Sequence, residues 1–155
     1  IPFVRGPLRK PYLFLVPLLS FAAVASNSSL HGSFGIYQFM DWQIVFGRID
    51  KLSTVFAFIM ALMAIIGTLY GLHVDDAREH MAAWFYVAGS LGTIYCGDYL
   101  SLYLFWEMMA FSSVFLIWFR RGKKSMAVGY RYLMIHAAGG VILLLGIMLR
   151  YQATG

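Results

Sequence analysis

The run YLSLYLFWEMMAFSSVFLIWFRRGKK, residues 99–124, decides what kind of molecule this is. From Tyr99 to Phe119 it holds a single charge, Glu107, and it is followed at once by Arg120, Arg121, Lys123 and Lys124. A helix needs roughly 20 mostly apolar residues to cross a hydrocarbon core about 30 Å thick. This run has that length, and a basic border that would hold it at the lipid headgroups. The rest of the chain is of the same kind: of 155 residues, 61% are hydrophobic, 17% aromatic and only 12% charged. A soluble domain carries about 25% charged residues, and a globule of this size could not hide so much apolar surface from water. A cytosolic enzyme, a nucleic-acid-binding domain and a disordered tail are thereby excluded. The lone Cys96 excludes an internal disulfide framework, a multi-cysteine zinc site and an iron–sulfur cluster held by this chain alone.

Working outward, the same length criterion selects Leu52–Leu72, Met81–Gly97 and a run inside Ser125–Leu149. Pro11–Ala25 is a shorter fifth, with Pro11 at a tolerated helix start and Pro17 inside, where a kink is expected. Ile1–Val4 reads as the stub of an earlier span. The expected fold is an all-α polytopic membrane bundle, residues 1–155 forming one transmembrane domain of about five full spans. A signal peptide is the competing reading of the N-terminus, opposed by the internal prolines and the lack of a Met before the basic residues. A chain that begins on Ile1 and stops on Gly155, just after an apolar run, is expected to be the N-terminal piece of a longer polypeptide.

With five spans, Arg5, Arg9, Lys10, Arg78, Arg120, Arg121, Lys123 and Lys124 fall on one side. Arg48, Lys51 and Arg150 fall on the other, with Arg131 inside the last span. Eight against three places the first group in the cytoplasm, so the basic pI reports topology and headgroup anchoring, not nucleic-acid binding. The one long connection, 26–51, is then external. Its turn-forming Asn27-Ser28-Ser29 and His31-Gly32-Ser33, followed by the partial alternation of FGIYQFMDWQIVF (Phe34–Phe46), predict a short β-strand or hairpin.

An ionisable group in a span is costly and is by default a candidate for an ion pathway. Asp41 and Asp50 lie in the outer loop, Asp75, Asp76 and Glu79 in an inner loop, and Asp98 at the outer turn, which leaves Glu107 as the intramembrane carboxylate. It sits about 12 Å below the outer face, counted from Tyr99. Burial without a partner would move such a carboxyl towards loading and releasing protons near neutral pH, whereas a nearby cation would hold it ionised. His136 is the second intramembrane titratable group, with an ordinary pKa of about 6.5 that suits a relay. If its span ends near Leu149, it is offset from Glu107 by about 8–9 Å along the membrane normal, a distance for water rather than a direct hydrogen bond. Arg131, nearer the cytoplasm, snorkels or pairs with a carboxylate from elsewhere. His73 and His80 read as solvated helix ends. Gly89, Ser90 and Gly92, Ser112 and Ser113, and Ala137-Ala138-Gly139-Gly140 permit close helix approach. No nucleotide fingerprint, paired haem histidines or nucleophile–base pair is visible, so no catalytic site, cofactor or metal is expected in this chain.

GDYLSLYLFWEMMAFSSVFLIW (Gly97–Trp118) resembles the fifth-helix segment of the proton-translocating, antiporter-like membrane subunits. That family includes the pumping subunits of respiratory complex I, membrane-bound hydrogenase subunits and the subunits of Mrp-type Na+/H+ antiporters. RYLMIHAAGG (Arg131–Gly140) resembles the family's next helix, and GRIDKLSTVFAFIMALMAIIG (Gly47–Gly67) its third-helix entry. The resemblance implies that Glu107 stands at the family's functional glutamate, which couples to a lysine on a later helix outside this stretch. His136 leans towards the antiporter or hydrogenase branch. The implied function is a subunit of a larger membrane complex in a bacterial or archaeal plasma membrane, moving protons and, in some members, Na+, through Glu107 and His136 with Arg131 as candidate charge partner. Its implied partners are lipid and other membrane subunits, not nucleic acid. The competing expectation is a structural scaffold in which Glu107 only fixes helix packing.

Overall fold

The computed structural model describes residues 9–39, 42–120 and 122–154. The expected stub Ile1–Val4, and Arg5, Asp41 and Arg121, lie outside them. Five helices and one hairpin follow in the order α1 (Arg9–Asn27), β1 (Gly32–Phe39), β2 (Trp42–Ile49), α2 (Lys51–Gly71), α3 (Ala77–Tyr95), α4 (Tyr99–Phe119) and α5 (Ser125–Thr154). Three helix starts are set by aspartates, whose carboxylates accept from backbone amides that an α-helix leaves unbonded in its first turn. Asp50 accepts from Ser53 N–H while the Ser53 hydroxyl accepts from Asp50 N–H, a reciprocal capping box. Asp76 accepts from Arg78 N–H, and Asp98 from Leu100 and Ser101 N–H.

The expectation of five full spans is met in part. Among the described residues, α2, α4 and α5 are long and apolar enough to cross a membrane. α1 falls short because it opens on Arg9-Lys10 and contains Pro11 and Pro17. α3 falls short because Arg78-Glu79-His80 open it and Gly89, Ser90, Gly92 and Thr93 dilute its apolar run. α3 also ends at Tyr95 rather than Gly97, since Cys96, Gly97 and Asp98 are used in the turn into α4. α5 runs past Leu149 to Thr154, and its 30 residues span about 45 Å. His73 is exposed as expected, but His80 is buried, its Nε2 3.0 Å from the Val74 carbonyl, so it is not a solvated helix end.

Consecutive helices pack side by side, and small residues set how closely. Between α3 and α4, Gly92 lies under the Phe105 ring and Gly89 against Met109, and the Ser90 hydroxyl donates to Met109 Sδ at 2.9 Å. Between α4 and α5, Gly129 lies under the Trp118 indole. Ala57 and Ala61 of α2 meet Val24 of α1 in the small buried core. This is packing by shape rather than by water exclusion, as expected where lipid replaces water as the solvent. The large side chains point outwards: Ile135 and Ile142 of α5 are 75% and 70% exposed, a lipid-type surface. Ser112 and Ser113 donate back to the carbonyls of Met108 and Met109 in their own helix, so their hydroxyls are already used.

The predicted hairpin is present. β1 and β2 pair antiparallel with Gly32 opposite Ile49 and Phe39 opposite Trp42. Gly35 takes φ +64°, where an L side chain would be strained. β2 is tied to the α3–α4 turn: Gly97 N–H donates to the Val45 carbonyl at 2.9 Å, and Val45 N–H donates to Asp98 Oδ2 at 2.7 Å. Gly97 has no room for a side chain because Val45 occupies that space.

Candidate functional site

α4 and α5 are antiparallel neighbours. Trp118 meets Gly129, Glu107 meets Gly140 and Arg150 lies over the Tyr99 ring, so the pairing advances on one helix as it retreats on the other. Glu107 is therefore level with Gly140 and stands one turn, about 6 Å along the axis, further from the shared turn than His136, against the expected 8–9 Å. The two long side chains lean across that step and meet between the two levels.

There the Glu107 carboxylate and the His136 ring face each other, Oε1 to Nε2, at 3.8 Å. Each side chain is about one-fifth exposed, yet these two atoms are buried and neither has a hydrogen-bond partner. The separation exceeds the 2.7–3.2 Å of an N–H···O bond. It is short enough for a small torsion of the glutamate to close it. A buried polar atom without a partner is expensive, so two of them face to face form a site that one proton would satisfy at both ends.

The surrounding side chains hold this geometry. Tyr132, His136 and Gly140 recur every four residues and so share one face of α5. Gly140, with only hydrogen at Cα, leaves the space that Glu107 Oε1 occupies, and Tyr103, one turn before Glu107, closes the same spot. The His136 ring lies nearly parallel to the Trp106 ring (6.5 Å between centroids, 18°) and to the Tyr132 ring (5.9 Å, 16°). Arg131 is exposed on α5, and no carboxylate lies within ion-pair distance of it among the described residues. The structure thus brings Glu107 and His136 together and leaves Arg131 apart. Reasoning from sequence misses Gly140, Trp106 and Tyr132 as parts of the site. The four-residue spacing of Tyr132, His136 and Gly140 is the signal that could have found two of them.

No group of three or more His, Cys, Asp or Glu side chains among the described residues could hold a metal ion. Asp98, expected only as a turn residue, accepts four hydrogen bonds. Besides the three backbone donors, the Ser101 hydroxyl donates to it at 2.6 Å.

The chain is similar to known membrane proteins. Residues 96–155, which include Glu107 and His136, match the family model described as NADH:quinone oxidoreductase/Mrp antiporter, TM. A probable K(+)/H(+) antiporter subunit of Rhizobium meliloti (strain 1021) is 30% identical over 139 residues, covering 86% of this chain and 26% of that protein. The chloroplastic NAD(P)H-quinone oxidoreductase subunit 5 of Lemna minor is 29% identical over 178 residues, covering 100% of this chain and 23% of that protein. The chain thus spans about a quarter of the length of the curated relatives it matches. Its fold is similar to a chain in the structure of the membrane-bound sulfane sulfur reductase, an archaeal respiratory membrane complex. The TM-score is 0.79 at 22% identity, over 97% of this chain and 33% of that one.

Proposed function

Because the chain is a member of the NADH:quinone oxidoreductase/Mrp antiporter membrane family, matched through residues 96–155, we propose that it is a subunit of a cation-translocating membrane complex with Glu107 and His136 as its proton relay. The single observation that carries this reading is the buried, unbonded pair Glu107 Oε1 and His136 Nε2, 3.8 Å apart between α4 and α5. Its chemistry is a proton hand-over. A proton arriving on the Glu107 carboxyl moves to His136 Nε2, leaving a carboxylate beside an imidazolium. That ion pair keeps the site's net charge unchanged, which limits the cost of holding charge in hydrocarbon. Release from His136 resets the pair. Trp106 and Tyr132 position the ring, and Gly140 positions the carboxylate.

In this reading α1 and α3 also cross the bilayer, carried by their packing against α2 and α4, and the hairpin lies on the outer side. The basic residues Lys10, Arg78, Arg120, Lys123 and Lys124 face the cytoplasm of a bacterial or archaeal cell. Arg131 sets the potential one to two turns towards that side. The relatives' names, one from an antiporter and one from a quinone oxidoreductase, support other membrane subunits as partners, with protons and a cation such as Na+ or K+ as cargo.

The test is ΔpH formation in vesicles carrying the full-length polypeptide and its partner subunits. Glu107→Gln keeps the shape but cannot titrate, so translocation should fall to background while the complex assembles. Glu107→Asp should keep part of the activity. Wild-type pumping by the Gln variant would sink the relay and leave Glu107 as a packing residue of a scaffold.

A further inference from the structure

Where α4 turns into α5, a cavity of about 760 Å³ opens between Leu116, Ile117, Arg120, Lys123, Lys124 and Val128. None of its described lining residues is acidic, and among the described residues no carboxylate lies within ion-pair distance of its three cations. Three like charges are thus gathered around one hollow with no described residue in place to neutralise them. The turn itself is fixed: Gly122 N–H donates to the Ser125 hydroxyl, and Ser125 N–H donates to the Gly122 carbonyl, both at 2.9 Å. The residue before α5 is Lys124, whose side chain only donates and so cannot cap the free amides of the first helical turn. Below this cationic rim the wall is apolar, and Val128 is 49% exposed. The hollow therefore demands negative charge at one end and hydrocarbon at the other.

We propose that this cavity binds an anionic glycerophospholipid, with its phosphate held by Arg120, Lys123 and Lys124 and its acyl chains lying along Leu116, Ile117 and Val128. A free phosphate shares the headgroup chemistry but makes no use of the apolar wall. A zwitterionic lipid would bring an ammonium group against three cations. A diphosphatidyl lipid would match the rim better still, with two phosphates for three positive charges. The site is independent of the proton relay, from which it is separated by about three turns of α4.

The experiment reconstitutes the full-length protein in nanodiscs of phosphatidylcholine containing a minority of phosphatidylglycerol, then counts retained lipids by native mass spectrometry. The wild type should retain phosphatidylglycerol in excess of its share. Each of Arg120→Gln, Lys123→Gln and Lys124→Gln should cut that preference by roughly fivefold, about what one basic residue contributes near an anionic headgroup. Lys10→Gln, which removes an exposed cation on α1 away from the cavity, should leave it unchanged. Val128→Asp should also lower retention, by placing a carboxylate on the apolar wall. Retention at the mixing ratio in the wild type would overturn the proposal. So would an equal loss in Lys10→Gln, which would mean a diffuse surface charge. Release of the lipid by inorganic phosphate, but not by chloride at equal ionic strength, would reassign the hollow to a free anion. Occupation by an acidic segment of a partner subunit, seen as a crosslink to Lys123 that lipid does not compete away, would equally overturn it.

Discussion

The Glu107 carboxylate occupies the space where any other residue at position 140 would place its Cβ. The acid is therefore seated by an absent side chain on the facing helix, one turn beyond His136. Gly140→Ala should force the carboxylate off its seat and away from His136 Nε2. Inserting a methyl group into a packed contact costs about 1–3 kcal/mol, which thermal unfolding in detergent would register. Proton transport should fall as well. Gly139→Ala is the control, because nothing lies within 4 Å of its Cβ position, and it should be close to neutral in both assays.

His136→Gln removes the imidazole ring while keeping a hydrogen-bonding side chain beside Glu107. Transport in the full-length protein should slow, with assembly intact. An unchanged rate would reduce His136 to packing between Trp106 and Tyr132.

Asp98→Ala removes the cap of α4 and the acceptor of Val45 N–H together. Loss of the cap alone costs about 0.5–2 kcal/mol. The orphaned Val45 amide should loosen the hairpin, making β2 more sensitive to proteolysis and faster in hydrogen exchange. Asp98→Asn, which keeps one acceptor oxygen, should lie between wild type and Ala.

Asp50 gives a pH prediction with a definite sign. The Ser53 N–H bond chiefly holds its carboxyl below the ordinary carboxylate range against the opposing effect of desolvation, with smaller help from the Ser53 hydroxyl, Leu52 N–H and Arg48. A folded-state pKa below the unfolded value means that the stabilisation is complete above the unfolded pKa, near 3.9. It is lost as pH falls through the depressed folded value. Amides of the first turn of α2 should therefore exchange faster on acidification below about pH 4. In Asp50→Asn the exchange should carry less of that acid dependence.

Orientation is open to cysteine labelling with a membrane-impermeant reagent. Asn27→Cys should react from outside and Lys123→Cys only after permeabilisation, and the reverse pattern would invert the topology. The native Cys96 contributes little background. Burial, and then the Asp98 charge, push its thiol pKa up, so less of the reactive thiolate is present.

The helices and hairpin are legible in the sequence because membrane crossing depends on length and apolarity, and a half-exposed hairpin on alternation. Both are local properties. Glu107 and His136 stand out for a similar reason, as titratable groups among apolar neighbours. Their closeness is not legible from counting depth, because an axial step of about one turn between the two positions is bridged by the reach of the two side chains beside Gly140. His80 is misread because a histidine beside Arg78-Glu79 looks solvated, while its burial depends on α3 packing against α2. The Val45–Asp98 bond joins residues 53 apart. No local pattern announces such a contact.

That bond also has a mechanical meaning. Asp98 grips a strand with one oxygen and the head of α4 with the other, so the outer hairpin and the shaft carrying Glu107 are clamped end to end. A load on the hairpin, from an antibody or a neighbouring subunit, would be delivered along the axis of α4 rather than absorbed by a slack loop. A slide of one residue's rise, about 1.5 Å, would be enough to carry the carboxylate past the notch in α5. In the proposed relay the hairpin would act as a handle: clamping it should jam translocation without touching Glu107 or His136.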